Sequence, residues 1–282
     1  MTFTEKWLNN FIDGIEARAA PPKADDYLGK DGLIYCSKCN TPKQCRIELF
    51  KKEKIVPCLC KCEIEKRDAE EALRKQQEQE KRIKQYRKMG FPESDMIDWT
   101  FEHDDGLNPK LTNAMKAYVE NFDKFRSCGK GLLLYGSVGT GKTYAAASVA
   151  NALIDKGYPC LVTNFARLAN TLQGLYDCRQ NYIDSLNRFD LLVIDDLAAE
   201  RSTDYMQEQV FNIINSRYVA GLPMIITTNL TGDELKHPDS ISKERTYSRI
   251  LERCHPIEVA GSDRRKGKLK NDFAEMRDIL GL

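Results

Sequence analysis

The stretch Gly136-Ser137-Val138-Gly139-Thr140-Gly141-Lys142-Thr143 carries three glycines, a lysine and a hydroxyl at the spacing of a phosphate-cradling loop. Gly136, Gly139 and Gly141 let the backbone curl until its N–H groups face a phosphate chain. The N-terminus of the helix that follows adds positive potential at the same place. In such a loop Lys142 reaches the β- and γ-phosphates of ATP and the Thr143 hydroxyl ligates Mg²⁺. A second stretch, Leu191 to Asp196, runs four apolar residues into two adjacent carboxylates. Behind a phosphate loop, Asp195 is placed to hold Mg²⁺. Asp196 stands where a hydrolytic enzyme activates water, or else caps a following helix. Asn229, at the end of the apolar run from Met224, is positioned to orient water against the γ-phosphate, or is a plain strand end.

A different chemistry gathers near the N-terminus. Six of the ten cysteines fall between Cys36 and Cys62. Clustering of this kind in a chain expected to be cytoplasmic argues for a metal before disulfides. Four thiolates bind Zn²⁺ tetrahedrally and supply folding energy that a short segment lacks. Cys36, Cys39, Cys60 and Cys62 form the favoured set, with Cys58 as the alternate and Cys45 a more distant one. Cys128, Cys160, Cys178 and Cys254 are scattered and read as packing residues.

These residues need elements to carry them. From Phe101 onward, apolar runs at 131–136, 160–164, 191–195, 223–229 and 256–261 alternate with helical stretches. That alternation is the mark of an α/β fold, a five-stranded parallel sheet covered on both faces. Upstream, 63–90 is built almost wholly of helix formers, ends at Gly90 and has Pro92 just beyond, a charged and solvated connecting helix. The first residues place Phe3, Trp7, Phe11 and Ile15 on one helical face, which either packs on its own small domain or docks a partner. The expected organisation is a docking and zinc-binding domain over 1–62, a connecting helix and linker over 63–100, and an ATPase domain over 101–282. Net charge is +1, so nucleic-acid binding must come from local patches. No apolar run approaches the roughly 20 residues a membrane span requires, so a cytoplasmic protein with no membrane partner is expected.

Taken in order, "YCSKCNTPKQ", "CLCKCEIEKRDAEEA", "GLLLYGSVGTGKTYAAASVANALI", "VTNFARLANTLQG", "FDLLVIDDLAAERSTDYMQEQVFNIINSRYVAGLPMIITTNL", "RTYSRILERC" and "GSDRR" span nearly the whole chain. Together they resemble the AAA+ ATPases that load replicative helicases onto DNA, the DnaC/DnaI family, in the form with an N-terminal zinc-binding region. The resemblance implies an AAA+ core with Asn229 as sensor 1 and Arg264 as sensor 2, Arg265 competing for the latter. It implies Arg249 as an arginine finger reaching a neighbouring subunit's ATP, with Arg245 the other candidate. It further implies self-association on a hexameric replicative helicase, which the zinc region contacts. Single-stranded DNA would meet Phe165 and Arg167 and, more weakly, Arg179 and Arg188; the alternative is that Phe165 is core and Arg167 a surface residue. Asp196 departs from the glutamate common in AAA+ enzymes. It is one methylene shorter, and a misplacement of about 1 Å can cost ~100-fold in rate, so slow, switch-like hydrolysis is expected. Two other readings use the same core: an IstB-type transposition helper, and a nucleotide-gated adaptor that does not hydrolyse.

Overall fold

The computed structural model describes residues 23–49, 52–92, 94–175, 177–198 and 203–264, with positions 273, 276–277 and 279–280 beyond them. The apolar face of Phe3, Trp7, Phe11 and Ile15 lies outside these residues. So do Arg265 and the basic stretch that follows it. The chain forms two compact units that divide between Gln79 and Glu80.

The N-terminal unit is two small antiparallel pairs and the start of a long helix. β1 (Tyr27–Leu28) pairs with β2 (Ile34–Tyr35), and β3 (Gln44–Leu49) pairs with β4 (Lys52–Pro57). Its buried residues, Leu33, Cys36, Lys43, Val56 and Cys60 among those described, are too few to hold a fold by apolar burial alone. Helix α1 (Lys61–Gly90) is exposed on all sides over much of its length, as its charge predicts. Pairs four residues apart run along it, Lys61–Glu65, Lys66–Glu70, Glu71–Lys75 and Arg74–Glu78. It ends at Gly90, where any side chain would run into the carbonyl of Cys160.

The C-terminal unit is a three-layer α/β domain. Its helices are α2 (Pro109–Glu120), α3 (Phe122–Cys128), α4 (Lys142–Asp155), α5 (Phe165–Gly174), α6 (Arg179–Ser185), α7 (Asp204–Ala220), α8 (Gly232–Lys236) and α9 (Ile241–Arg253). Its strands are β5 (Gly131–Tyr135), β6 (Cys160–Asn164), β7 (Leu191–Leu197), β8 (Met224–Thr228) and β9 (Cys254–Glu258). All five pair in parallel in the order β6-β7-β8-β5-β9. Alternate residues of each strand feed opposite cores. Leu132, Leu134 and Val193 face α2, α3 and α4, while Leu133, Leu192 and Ile194 face α5, α7 and α9. This two-sided burial is why the strands read as unbroken apolar runs. The last strand starts at Cys254, earlier than its apolar residues suggest, because α9 ends at Arg253 and the buried Cys254 pairs at once with Gly131.

The strand order sets up the site. β8 is inserted between the phosphate-loop strand β5 and the acidic strand β7, so Asn229, just past β8, emerges between Lys142 and Asp195. The opposite ends of β7 and β8 are held by Arg217, which is 0% exposed. Its guanidinium donates to the carbonyls of Phe189 (2.8 Å), Leu186 and Asp190 (both 3.4 Å) and Pro223. Burial lowers its pKa to about 10, so it remains charged at neutral pH. Arg217→Ala strands these acceptors in the interior. It is expected to reduce the unfolding free energy by about 3 kcal/mol or more, measured by urea denaturation of the full chain.

Candidate nucleotide and metal sites

A cavity of about 550 Å³ opens at the C-terminal ends of the strands, a size suited to a nucleotide. Its floor is the loop from Val138 to Thr143. Gly139 and Gly141 have φ of +77° and +94°, a conformation that keeps the loop's N–H groups turned inward and that side chains rarely adopt. Lys142 is 5% exposed. Its ammonium donates to the carbonyls of Gly136 (2.9 Å) and Ser137 (2.7 Å) and to Oδ1 of Asn229 (2.9 Å). The lysine at the start of α4 and the asparagine just past β8 therefore converge on one point of the cavity.

β7 carries its two acids further than a simple strand end would. The pairing between β7 and β8 slips between Ile194 and Leu197, and Asp196 takes φ of +56°. Aspartate tolerates this left-handed conformation better than most residues. The two carboxylates have different surroundings. Asp195 accepts hydrogen bonds from the hydroxyls of Thr227 and Thr143. Burial nevertheless pushes its carboxyl pKa above the usual range. A desolvated carboxylate beside the loop hydroxyl is a hard-oxygen set that fits Mg²⁺. Asp196 lines the cavity with Asn229, and its backbone N–H donates to Thr227 Oγ1 at 3.0 Å. The helix-capping alternative is excluded, since α7 is capped by Thr203.

Arg264 closes one side. Its backbone N–H donates to the Gly139 carbonyl (3.0 Å), and its side chain lies over Gly141. Its guanidinium pairs with Asp105 at 2.7 Å. The facing lip comes from the irregular segment before α2, with Trp99, His103, Asp104 and Asp105. Trp99 stacks on Tyr144 with ring centres 5.6 Å apart. Tyr144 donates to the Thr100 carbonyl (2.7 Å), and the buried Asn151 donates to the carbonyls of Met96 and Trp99 (both 3.0 Å). The lip is thus fastened to the helix that begins at the phosphate loop. Arg249 lies apart from the cavity lining. It sits on α9 with its guanidinium 4.5 Å from the centre of the Phe211 ring, and Arg245 lies 5.5 Å from the same ring.

In the N-terminal unit Cys36, Cys39, Cys60 and Cys62 bring their sulfurs within 4.8 Å of one another. Cys36 and Cys62 are 3.6 Å apart and Cys60 and Cys62 3.3 Å. A tetrahedral zinc with Zn–S near 2.3 Å spaces its sulfurs by about 3.8 Å, so the donor set fits this metal. Cys36 and Cys39 flank a turn closed by Asn40, whose φ is +52°, and Cys60 and Cys62 straddle the start of α1. Cys58 stands outside the cluster, its thiol directed at the Pro42 carbonyl (3.6 Å). Around the thiols, Lys43 is 4% exposed and pairs with Asp26 (2.9 Å) and Glu63 (3.3 Å). Glu63 in turn accepts from the Cys60 N–H at 3.4 Å.

The sequence pattern of the IstB-like ATP binding protein family matches residues 64–271, well over half of the chain. The chain belongs to the IstB-like ATP-binding family. This IstB-like chain is 28% identical over 214 residues to the replicative helicase loader DnaI of Bacillus subtilis, covering 68% of this chain and 67% of that one. It is 26% identical over 174 residues to a putative insertion-sequence ATP-binding protein of Mycobacterium tuberculosis, covering 60% of this chain and 69% of the relative. A solved crystal structure of DnaI superposes with a TM-score of 0.51 at 25% identity, covering 64% of this chain and 98% of that one. The core is therefore of the AAA+ type. Among the described residues no helix is long and apolar enough to cross a membrane.

One expectation for the IstB-like core needs correction. Phe165 is 1% exposed and packs with Leu168 and Leu172 beneath α5, so its ring has no free face for a base. Arg167, its intended partner, is exposed on the other side of that helix. Arg179 donates to the carbonyls of Leu172 (3.1 Å) and Leu175 (2.9 Å), closing the end of α5, and Arg188 lies over the Phe189 ring. Sequence reasoning also missed the lip residues Trp99, His103 and Asp105 and the buried Lys43. The lip did have a signal, an aromatic and acidic cluster in "DWTFEHDDG" ahead of the phosphate loop.

Proposed function

We propose that this protein is an ATP-dependent loader of a replicative helicase onto single-stranded DNA, with slow hydrolysis acting as the release switch. The observation that carries the reading is the convergence of Lys142, Asn229 and Asp196 at one cavity, with Asp195 and Thr143 hydrogen-bonded beside it. In this reading the loop N–H groups and Lys142 bind the triphosphate, and Arg264 contacts the γ-phosphate. Thr143 and Asp195 hold Mg²⁺, which neutralises phosphate charge. Asn229 orients the attacking water and Asp196 accepts its proton. Arg249 acts on the ATP of a neighbouring subunit. Residues 1–62, with zinc on Cys36, Cys39, Cys60 and Cys62, dock the hexameric helicase, and the 63–100 segment connects them to the ATPase domain. Similarity to DnaI supports the partner.

The test is ATP turnover by the full chain, alone and with the replicative helicase of the same organism plus single-stranded DNA. Stimulation by the pair is expected. Asp196→Asn should keep ATP affinity and lose ~100-fold or more of the stimulated rate. Full stimulated turnover by that variant would remove Asp196 from the mechanism. Similarity to an insertion-sequence protein favours a second reading, a transposition helper. It gains if the purified helicase neither binds nor stimulates the zinc-loaded chain while duplex DNA and a transposase do.

A further inference from the structure

Arg249 belongs to an alternating stack of guanidinium groups and aromatic rings. Arg245, Arg249 and Arg253 recur every four residues along α9, a stripe on one helical face. Phe211 and Tyr218 are two turns apart on α7, which packs alongside. Phe211 lies between Arg245 (5.5 Å) and Arg249 (4.5 Å). Tyr218 lies between Arg249 (5.8 Å) and Arg253 (4.8 Å). Arg249 is the member that touches both rings. The far end of the stack is anchored, since Arg253 donates to the Tyr218 carbonyl (3.3 Å) and the Tyr218 hydroxyl donates to Glu252 (2.9 Å).

The chemistry of this support suits a group that must act on something outside its own subunit. A carboxylate would occupy the N–H edge of the guanidinium and would have to be displaced by an arriving phosphate. A ring face holds the guanidinium plane through its quadrupole and puts no charged acceptor on the N–H edge. Arg249 Nη1 donates to the Arg245 carbonyl at 3.4 Å, a long bond to a neutral acceptor that a phosphate can replace with a charge-assisted one. We infer that Phe211 is a positioning residue for Arg249, holding the guanidinium ready for a neighbouring subunit's γ-phosphate. The inference rests on the trans-acting role of Arg249 proposed above. Phe211 itself touches no nucleotide.

Mixed-subunit turnover with the helicase and single-stranded DNA tests it. An Arg249→Ala subunit keeps its own nucleotide site, and a Lys142→Ala subunit keeps its finger, so mixing the two should restore turnover that neither shows alone. A Lys142→Ala/Phe211→Leu donor is expected to restore ~10-fold less at saturating ATP, with KM unchanged. Lys142→Ala/Phe211→Tyr, which keeps a ring, should recover most of the loss. Phe211→Leu alone should bind a fluorescent ATP analogue with unchanged affinity. Equal restoration by the Leu and Tyr donors overturns the role of Phe211. No restoration by the Lys142→Ala donor itself overturns the trans-acting finger, and this inference with it.

Discussion

Lys142→Ala is expected to lower ATP affinity by at least ~100-fold and to take hydrolysis below detection. The ammonium is buried at 5% exposure among three oxygens, so its position is set before a nucleotide arrives. A triphosphate exchanges neutral acceptors for charged ones. Each charge-assisted bond contributes about 1.5–3 kcal/mol, and about 1.4 kcal/mol is a factor of ten in affinity. Two such bonds to the β- and γ-phosphates therefore account for two to four orders of magnitude. Lys142→Met, which keeps the buried stem, should show the same loss while leaving the thermal midpoint nearly unchanged. The checks are titration with a fluorescent ATP analogue and a phosphate-release assay. Wild-type affinity in either variant would mean that the nucleotide sits elsewhere.

Removing the metal should have an effect as large on the N-terminal unit. With so few buried residues, the folded state of this unit would, on the proposed zinc site, depend on the bond energy of the four thiolates. Structural zinc sites of this size supply about 10–16 kcal/mol at neutral pH. Chelation, or Cys60→Ser, is expected to open this unit to protease while ATP binding by the C-terminal unit, which has its own core, persists. Cys58→Ser and Cys45→Ser should retain one zinc per chain, read by a chromogenic chelator after thiol modification. Loss of zinc from Cys58→Ser with retention in Cys60→Ser would reverse the ligand assignment.

How much of this could be read from residue types follows their physical origin. The phosphate loop was legible because each of its positions answers a local demand, for φ, for charge or for a hydroxyl. The sheet was legible because strands buried on both faces leave runs that nothing else produces. The cysteine cluster was legible as a candidate metal site with Cys60 favoured and Cys58 the alternate, and the chain's path around Thr41 and into α1 is what puts Cys60 in the cluster and leaves Cys58 outside it. Phe165 was open between a DNA contact and a core position, and its spacing to Leu168 and Leu172 marks the buried helix face that the structure shows. Arg217 and Lys43 carried no signal at all, because nothing local distinguishes a buried cation from a solvated one. Arg249 drew its role from resemblance, and its aromatic support depends on two helices meeting, which no single stretch reveals.

The insertion of β8 between β5 and β7 has a consequence for timing. The chain leaves β8 at Asn229, turns through the Thr231-capped α8 and enters α9, which bears Arg249. On the proposed roles, one short run of backbone joins the group that feels a subunit's own γ-phosphate to the group that reaches into the next subunit's site. On those roles, loss of phosphate in one subunit would change the conditions for firing in its neighbour. A ring or spiral of such subunits would discharge in sequence, as a wave with a direction, rather than all at once.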